Sequence, residues 1–191
     1  MVKIKIILSS TREGRQGERF TSWIMKEVAA RKDAEYELLD LRDYQIPYYD
    51  DPVPAAMLHA PYTPDIRQKW AEKIGEADGF VIVTPEYNHS FPAVLKSALD
   101  AIYHEWNNKP VSFVSYGGAS NGSRSVEQLR LVAVELQMAP IRDALHFGLY
   151  TGQPVFNEDG SMASEKENGK LSVMLEQLMW WTQALKTARE A

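Results

Sequence analysis

The residues able to do chemistry in this chain of 191 residues concentrate in three short loops. The first, Ser9 to Gly17, holds Ser10, Thr11, Arg12, Arg15 and Gln16, with glycines at 14 and 17. Hydroxyls donate to phosphate oxygens and guanidinium groups neutralise a dianion. The helical pattern that follows presents free N–H groups and about half a positive charge at its start. The spacing is neither G-x-x-x-x-G-K-[ST] nor G-x-G-x-x-G, so it suits a phosphate monoester better than a nucleoside triphosphate or a dinucleotide pyrophosphate. A plain polar turn has the same composition.

The second loop, Thr84 to Pro92, contains Pro85, Glu86, Tyr87 and Asn88, and its prolines fix φ at either end. Such stiffness suits backbone groups that read the edge of a flat heterocycle with Tyr87 as a nearby aromatic surface; it also suits a rigid lead into a helix. The third loop, Ser115 to Gly122, places Tyr116, Gly117 and Gly118 where backbone can approach a ligand face, or where a turn must flex. It also contains G-x-S-x-G at Gly118 to Gly122, the pattern of a hydrolase nucleophile elbow at Ser120, with Asp143 and His146 downstream. Only 71 residues follow Ser120, and an Asp and a His three positions apart cannot come from two separate strand ends, so the match counts as accidental.

The elements that position these loops follow from apolar periodicity. Residues 2–8, Tyr36 to Leu41, Gly79 to Thr84 and Val111 to Tyr116 are apolar, strand-like runs, and a fifth strand is expected within Ala139–Leu149. Between them, helical stripes run through Phe20, Trp23, Ile24 and Val28; Ile66, Trp70 and Ile74; Leu95, Leu99, Ile102 and Trp106; and Val126, Leu129, Ala133 and Leu136. Thr63 and Pro64 are expected as N-cap and first residue of the second helix, and Pro92 as the opening of the third. A last helix carries Leu171, Met174, Leu175, Leu178, Trp181 and Leu185. Five alternations with near-continuous apolar strands predict a parallel sheet covered on both faces. The fold class is α/β: a flavodoxin-like three-layer, doubly wound sandwich with strand order 2-1-3-4-5, forming a single domain over 1–191. Ligands of such sheets bind beyond the carboxyl ends of the strands, where the three loops lie.

Composition narrows the chemistry. The formal net charge is −5, which supplies no basic footprint for nucleic acid. Zero cysteines exclude disulfides, thiolate nucleophiles and thiolate-bound metals, and the four histidines show no ligand spacing. The apolar start, broken by Lys5, is short for a signal peptide, and no run approaches a membrane span. The expectation is a soluble cytoplasmic protein without nucleic-acid, membrane or metal partners.

Taken together, the loops resemble the NADPH-dependent FMN reductase family, whose relatives include quinone, azo-dye and chromate reductases. The resemblance rests on Ser10-Thr-Arg12, on Pro85-Glu-Tyr-Asn88 running into Phe91 to Asp100, and on Tyr116-Gly-Gly118 ahead of Val126 to Arg130. It departs at Ser9, where much of the family has glycine. The resemblance implies FMN as cofactor and NADPH or NADH as co-substrate, with Ser10, Arg12, Arg15, Gln16 and Gly17 at the phosphate, beside the Thr11 hydroxyl that the loop's chemistry already offers. It further implies Pro85, Glu86, Tyr87 and Asn88 at one border of the isoalloxazine, and Ser115, Tyr116, Gly117 and Gly118 at the other. The flavin carries the chemistry with no catalytic side chain. A small-molecule electron acceptor and a homodimer or homotetramer are implied as partners. The rival of another class within this fold is a flavodoxin-type electron carrier, against which Arg12, Arg15 and the modest net charge weigh.

Overall fold

β-Branched and apolar residues build the centre of the sheet in the computed structural model, which describes residues 1–191. The strands are β1 (Val2–Leu8), β2 (Ala34–Asp40), β3 (Gly79–Pro85), β4 (Pro110–Gly117), β5 (Ala139–Pro140) and β6 (Leu145–Gly148). All pair in parallel in the order β2-β1-β3-β4, with β5 and then β6 along the outer side of β4. Every residue of β3 and β4 is buried, as a sheet covered on both faces requires.

Alternate strand residues feed two cores. Ile7, Phe80, Ile82, Val111 and Phe113 pack under α2 (Asp65–Gly75), α3 (Ala93–Asp100) and α4 (Ser123–Glu135). Ile4, Ile6, Val81, Val83 and Val114 pack under α1 (Gly17–Val28) and α5 (Glu165–Glu190). Lys5, the interruption of the first strand, is buried, and its Nζ is held by Glu37 and Glu76. No helix is long and apolar enough to cross a membrane.

Four expectations shift. The second helix begins at Asp65 with Pro64 as its N-cap, so Thr63 does not cap it, and Pro92 likewise stands one residue before α3. The third helix stops at Asp100, because side chains of α2 take its last carbonyls: Trp70 Nε1 donates to Ala98 O at 2.8 Å and Arg67 Nε to Ala101 O at 2.5 Å. Ile102 and Trp106 stay fully buried although they lie beyond the helix, Trp106 in a 3₁₀ turn. The fifth strand is broken in two: while β4 advances from Val111 to Val114, its neighbour advances from Pro140 to Leu145, two residues more. Around this bulge the Asp143 carbonyl accepts from Ser112 Oγ at 2.7 Å and its N–H donates to Gln177 at 2.9 Å. Finally, Trp181 lies at the edge of the buried stripe of α5, 39% exposed.

Candidate functional site

All three loops leave the carboxyl ends of β1, β3 and β4, so the parallel sheet alone brings them to one edge. The first is laced from beneath. Arg15 is buried; its Nη1 donates to Ser10 O at 2.5 Å and to one Asp40 oxygen at 2.7 Å, its Nη2 to the other, and its Nε to Glu18 at 3.0 Å. Arg42, just past β2, donates to the carbonyls of Arg12 at 2.8 Å and Thr11 at 3.3 Å. Sequence spacing placed Arg15 against a dianion, but Asp40 already neutralises it, and Arg15 acts as the strut of the loop. Arg12 keeps an exposed side chain with no hydrogen bond or ion pair to the protein. Gln16 is the N-cap of α1 without a side-chain cap, so the first amides of the helix are left without that partner.

Burial alone would raise the pKa of Asp40, but the bonds from Arg15 and from the Arg42 N–H outweigh it and hold the carboxyl below its ordinary range. With the folded pKa depressed, the stabilisation is present above the unfolded value, about 3.9, and is lost as pH falls through the folded value. The urea midpoint should therefore drop more between pH 7 and pH 3 in the wild type than in Asp40→Asn; equal drops would remove Asp40 from the acid response.

The second loop closes on itself. Tyr87 and Ser90 exchange backbone hydrogen bonds of 2.8 and 3.0 Å around Asn88 and His89, whose φ values of 51° and 68° lie in the left-handed region. Such angles are costly for residues other than glycine and persist where the surroundings enforce them. Here Gln128 of α4 does so, accepting from Ser90 Oγ at 2.5 Å and donating to His89 O at 2.8 Å. The Tyr87 hydroxyl lies 2.9 Å from Ser10 Oγ, joining the second loop to the first.

Glu86 ties the second loop to the third. Its N–H donates to Tyr116 O at 2.9 Å, and its carboxylate accepts from Ser120 Oγ, from the Arg124 N–H at 3.3 Å and from Arg124 Nη1 at 3.2 Å. Ser120 therefore faces a carboxylate, while His146 Nδ1 is 2.7 Å from Ser115 Oγ; the elbow pattern has no histidine behind its serine. Ser115 is buried, its hydroxyl directed to His146 and the Asn121 carbonyl. Tyr116 points into the layer beneath α1, its ring stacked on Phe20 with centroids 4.9 Å apart. Gly117 is buried and its carbonyl accepts from Leu149 N–H at 2.9 Å; Gly118 is exposed. Of the fourteen residues expected at the site, Arg15, Ser115 and Tyr116 direct their side chains inward, to Asp40, His146 and Phe20 respectively, and the other eleven lie along the three loops.

Arg42, Asp40, Gln128 and Arg124 hold these loops; Arg42 and Asp40 carried no local signal in the sequence, and the segment with Gln128 gave no sign that it braces the second loop. Tyr150, 85% exposed just beyond β6, stands beside Gly118 and was missed for the same reason.

A family model described as NADPH-dependent FMN reductase matches residues 2–152. An NAD(P)H-dependent FMN reductase of Schizosaccharomyces pombe is 40% identical over 145 residues, covering 75% of this chain and 72% of that protein. An NAD(P)H-dependent FMN reductase of a Nectria species is 32% identical over 203 residues, covering 100% of both. Among solved structures, FerB, a flavoenzyme NAD(P)H:(acceptor) oxidoreductase from Paracoccus denitrificans, shares the fold with a TM-score of 0.74 at 19% identity, over 96% of this chain and 98% of that one.

Proposed function

Because the chain belongs to the NADPH-dependent FMN reductase family, we propose that the carboxyl edge of its sheet holds one FMN and passes electrons from NAD(P)H to a small-molecule acceptor. One observation carries the assignment of residues: the Ser10–Tyr87 hydrogen bond of 2.9 Å draws the hydroxyl-rich loop and the proline-bounded loop together at the N-terminus of α1, beside the unpaired Arg12.

The donor set fits FMN. Ser10, Thr11, Arg12, Gln16 and Gly17 offer hydroxyls, one free guanidinium and helix amides to the phosphate, with Arg15 and Arg42 keeping the loop in shape. Pro85 to Asn88 would border one side of the ring through backbone groups, and Gly118, exposed and open on its side-chain face, would leave room at the other, whereas Gly117 packs against Gly122 and Glu86. When bound, FMN supplies the hydride chemistry itself, and the protein contributes position, water exclusion and electrostatics. The side chains here orient: Gln128 fixes the Asn88–His89 turn, and Glu86 holds the β4–α4 loop through Ser120 and Arg124. No side chain has to transfer a proton for this purpose. A cytoplasmic setting and a single-domain chain, as length and composition lead one to expect, and a homodimer or homotetramer, as the family resemblance implies, complete the proposal.

With one face of the ring open to nicotinamide and acceptor in turn, turnover follows ping-pong kinetics. NADPH varied at several fixed concentrations of a quinone should give parallel double-reciprocal lines; intersecting lines would mean that both substrates are held at once and would contradict the shared-face assignment.

A further inference from the structure

Five buried side-chain polar atoms have no hydrogen-bond partner: Ser9 Oγ, Arg67 Nη2, Glu105 Oε2, Trp106 Nε1 and Tyr116 Oη. Such groups are uncommon in folded proteins and each calls for a physical explanation. Two of them, Ser9 and Tyr116, stand at the carboxyl ends of β1 and β4, Ser9 opening the first loop and the Tyr116 hydroxyl lying by Gly17 at its close.

The position of the Tyr116 hydroxyl is well defined. The residue is 4% exposed, with its ring stacked on Phe20 at an interplanar angle of 11°. A Cβ built on Gly17 would lie 2.8 Å from Tyr116 Oη, so the phenol occupies the space that any other residue at the first position of α1 would fill. In a helix the Cα–Cβ bond tilts towards the N-terminus. The oxygen thus lies against the first residue of α1, whose amide has no intrahelical partner. Burial raises the phenol's pKa with help from Tyr87, against smaller opposing pulls from the Gly17 amide and the Arg12 and Arg15 charges. It remains a neutral donor beside Gly17, within the electrostatic reach of Arg12 and Arg15. Phenylalanine would stack on Phe20 equally well without burying an unpaired hydroxyl, so folding alone does not account for a tyrosine here.

We propose that the Tyr116 hydroxyl donates to the phosphate of FMN from beneath the first turn of α1, and that it contributes to the preference for the phosphorylated flavin over riboflavin. The inference rests on the placement of the phosphate at this helix end, and it moves Tyr116 from the ring border, where the sequence resemblance put it, to the opposite end of the cofactor. Gly17 is then required twice, for amide access and to leave room for the phenol.

The test compares wild type with Tyr116→Phe in two measurements, FMN and riboflavin titrations of the apo-protein and its thermal unfolding. Loss of one hydrogen bond to a charged group predicts that FMN affinity falls about tenfold or more, with riboflavin affinity unchanged. The apo-protein should melt at the same temperature or higher, since an unsatisfied buried hydroxyl has been removed. Equal losses for both flavins, or an unchanged FMN-to-riboflavin ratio, overturn the role of Tyr116 while leaving the phosphate site standing. A variant that melts lower or does not fold overturns it as well, by showing that the hydroxyl serves the fold. If the wild type itself does not prefer FMN to riboflavin, the phosphate placement fails, and this proposal with it.

Discussion

Arg15→Ala should destabilise the protein by roughly 2–4 kcal/mol, while Arg12→Ala, three positions earlier, should change stability by no more than about 0.5 kcal/mol. Arg15 is buried and bonded to Asp40, Glu18 and the Ser10 carbonyl; its loss leaves Asp40 without its principal partner and the first loop without its strut. The lower end of the range allows for the partial exposure of Asp40, 22% at its side chain. Arg12 projects into solvent, so its removal acts on the ligand: FMN binding should weaken by about 1.5–3 kcal/mol as a charge-assisted hydrogen bond is lost. Urea unfolding of the two apo variants, with FMN and riboflavin titrations of each, separates the effects. Equal destabilisation by both changes would mean that the loop is held in a way other than the one described.

Gly122→Ala should cost roughly 2–4 kcal/mol, combining left-handed backbone strain with a steric clash. Gly122 caps the start of α4 at φ 82°, and a Cβ there would lie 2.7 Å from the Tyr116 backbone nitrogen and 2.8 Å from Ser115 Cβ. Neither neighbour is the free end of a flexible side chain, so β4 itself would have to shift. Gly118→Ala, in the same loop, meets nothing nearer than a Tyr150 ring carbon at 4.0 Å and should cost far less. Urea midpoints for both variants check the contrast; similar losses would show that the loop tolerates movement as a whole.

The architecture was legible because its signals are local. Continuous apolar strands, helical stripes and the loops between them fixed the strand order, and parallel pairing then carried the three loops to one edge without further information. What stayed hidden depends on partners distant in sequence. Arg12 and Arg15 look interchangeable until Asp40 at the end of β2 claims one of them. The third helix seems to reach Trp106 until Arg67 and Trp70 take its final carbonyls. The elbow pattern at Ser120 is already discounted by the 71 residues that follow it, but that its hydroxyl is held by Glu86, 34 positions away, is not visible in the sequence. Tyr116 belongs to a glycine-rich loop in sequence, yet strand alternation sends its ring under α1.

The central claim, that this edge of the sheet accepts electrons from a nicotinamide through a bound flavin, is tested most directly by adding NADPH anaerobically to the FMN-loaded protein and following the flavin absorbance. One equivalent should bleach the flavin fully in a single two-electron phase, with colour returning when a quinone is added. If the flavin stays oxidised under excess NADPH and excess NADH, while dithionite still reduces it in two separate one-electron stages, the protein is an electron carrier and the reductase account is contradicted.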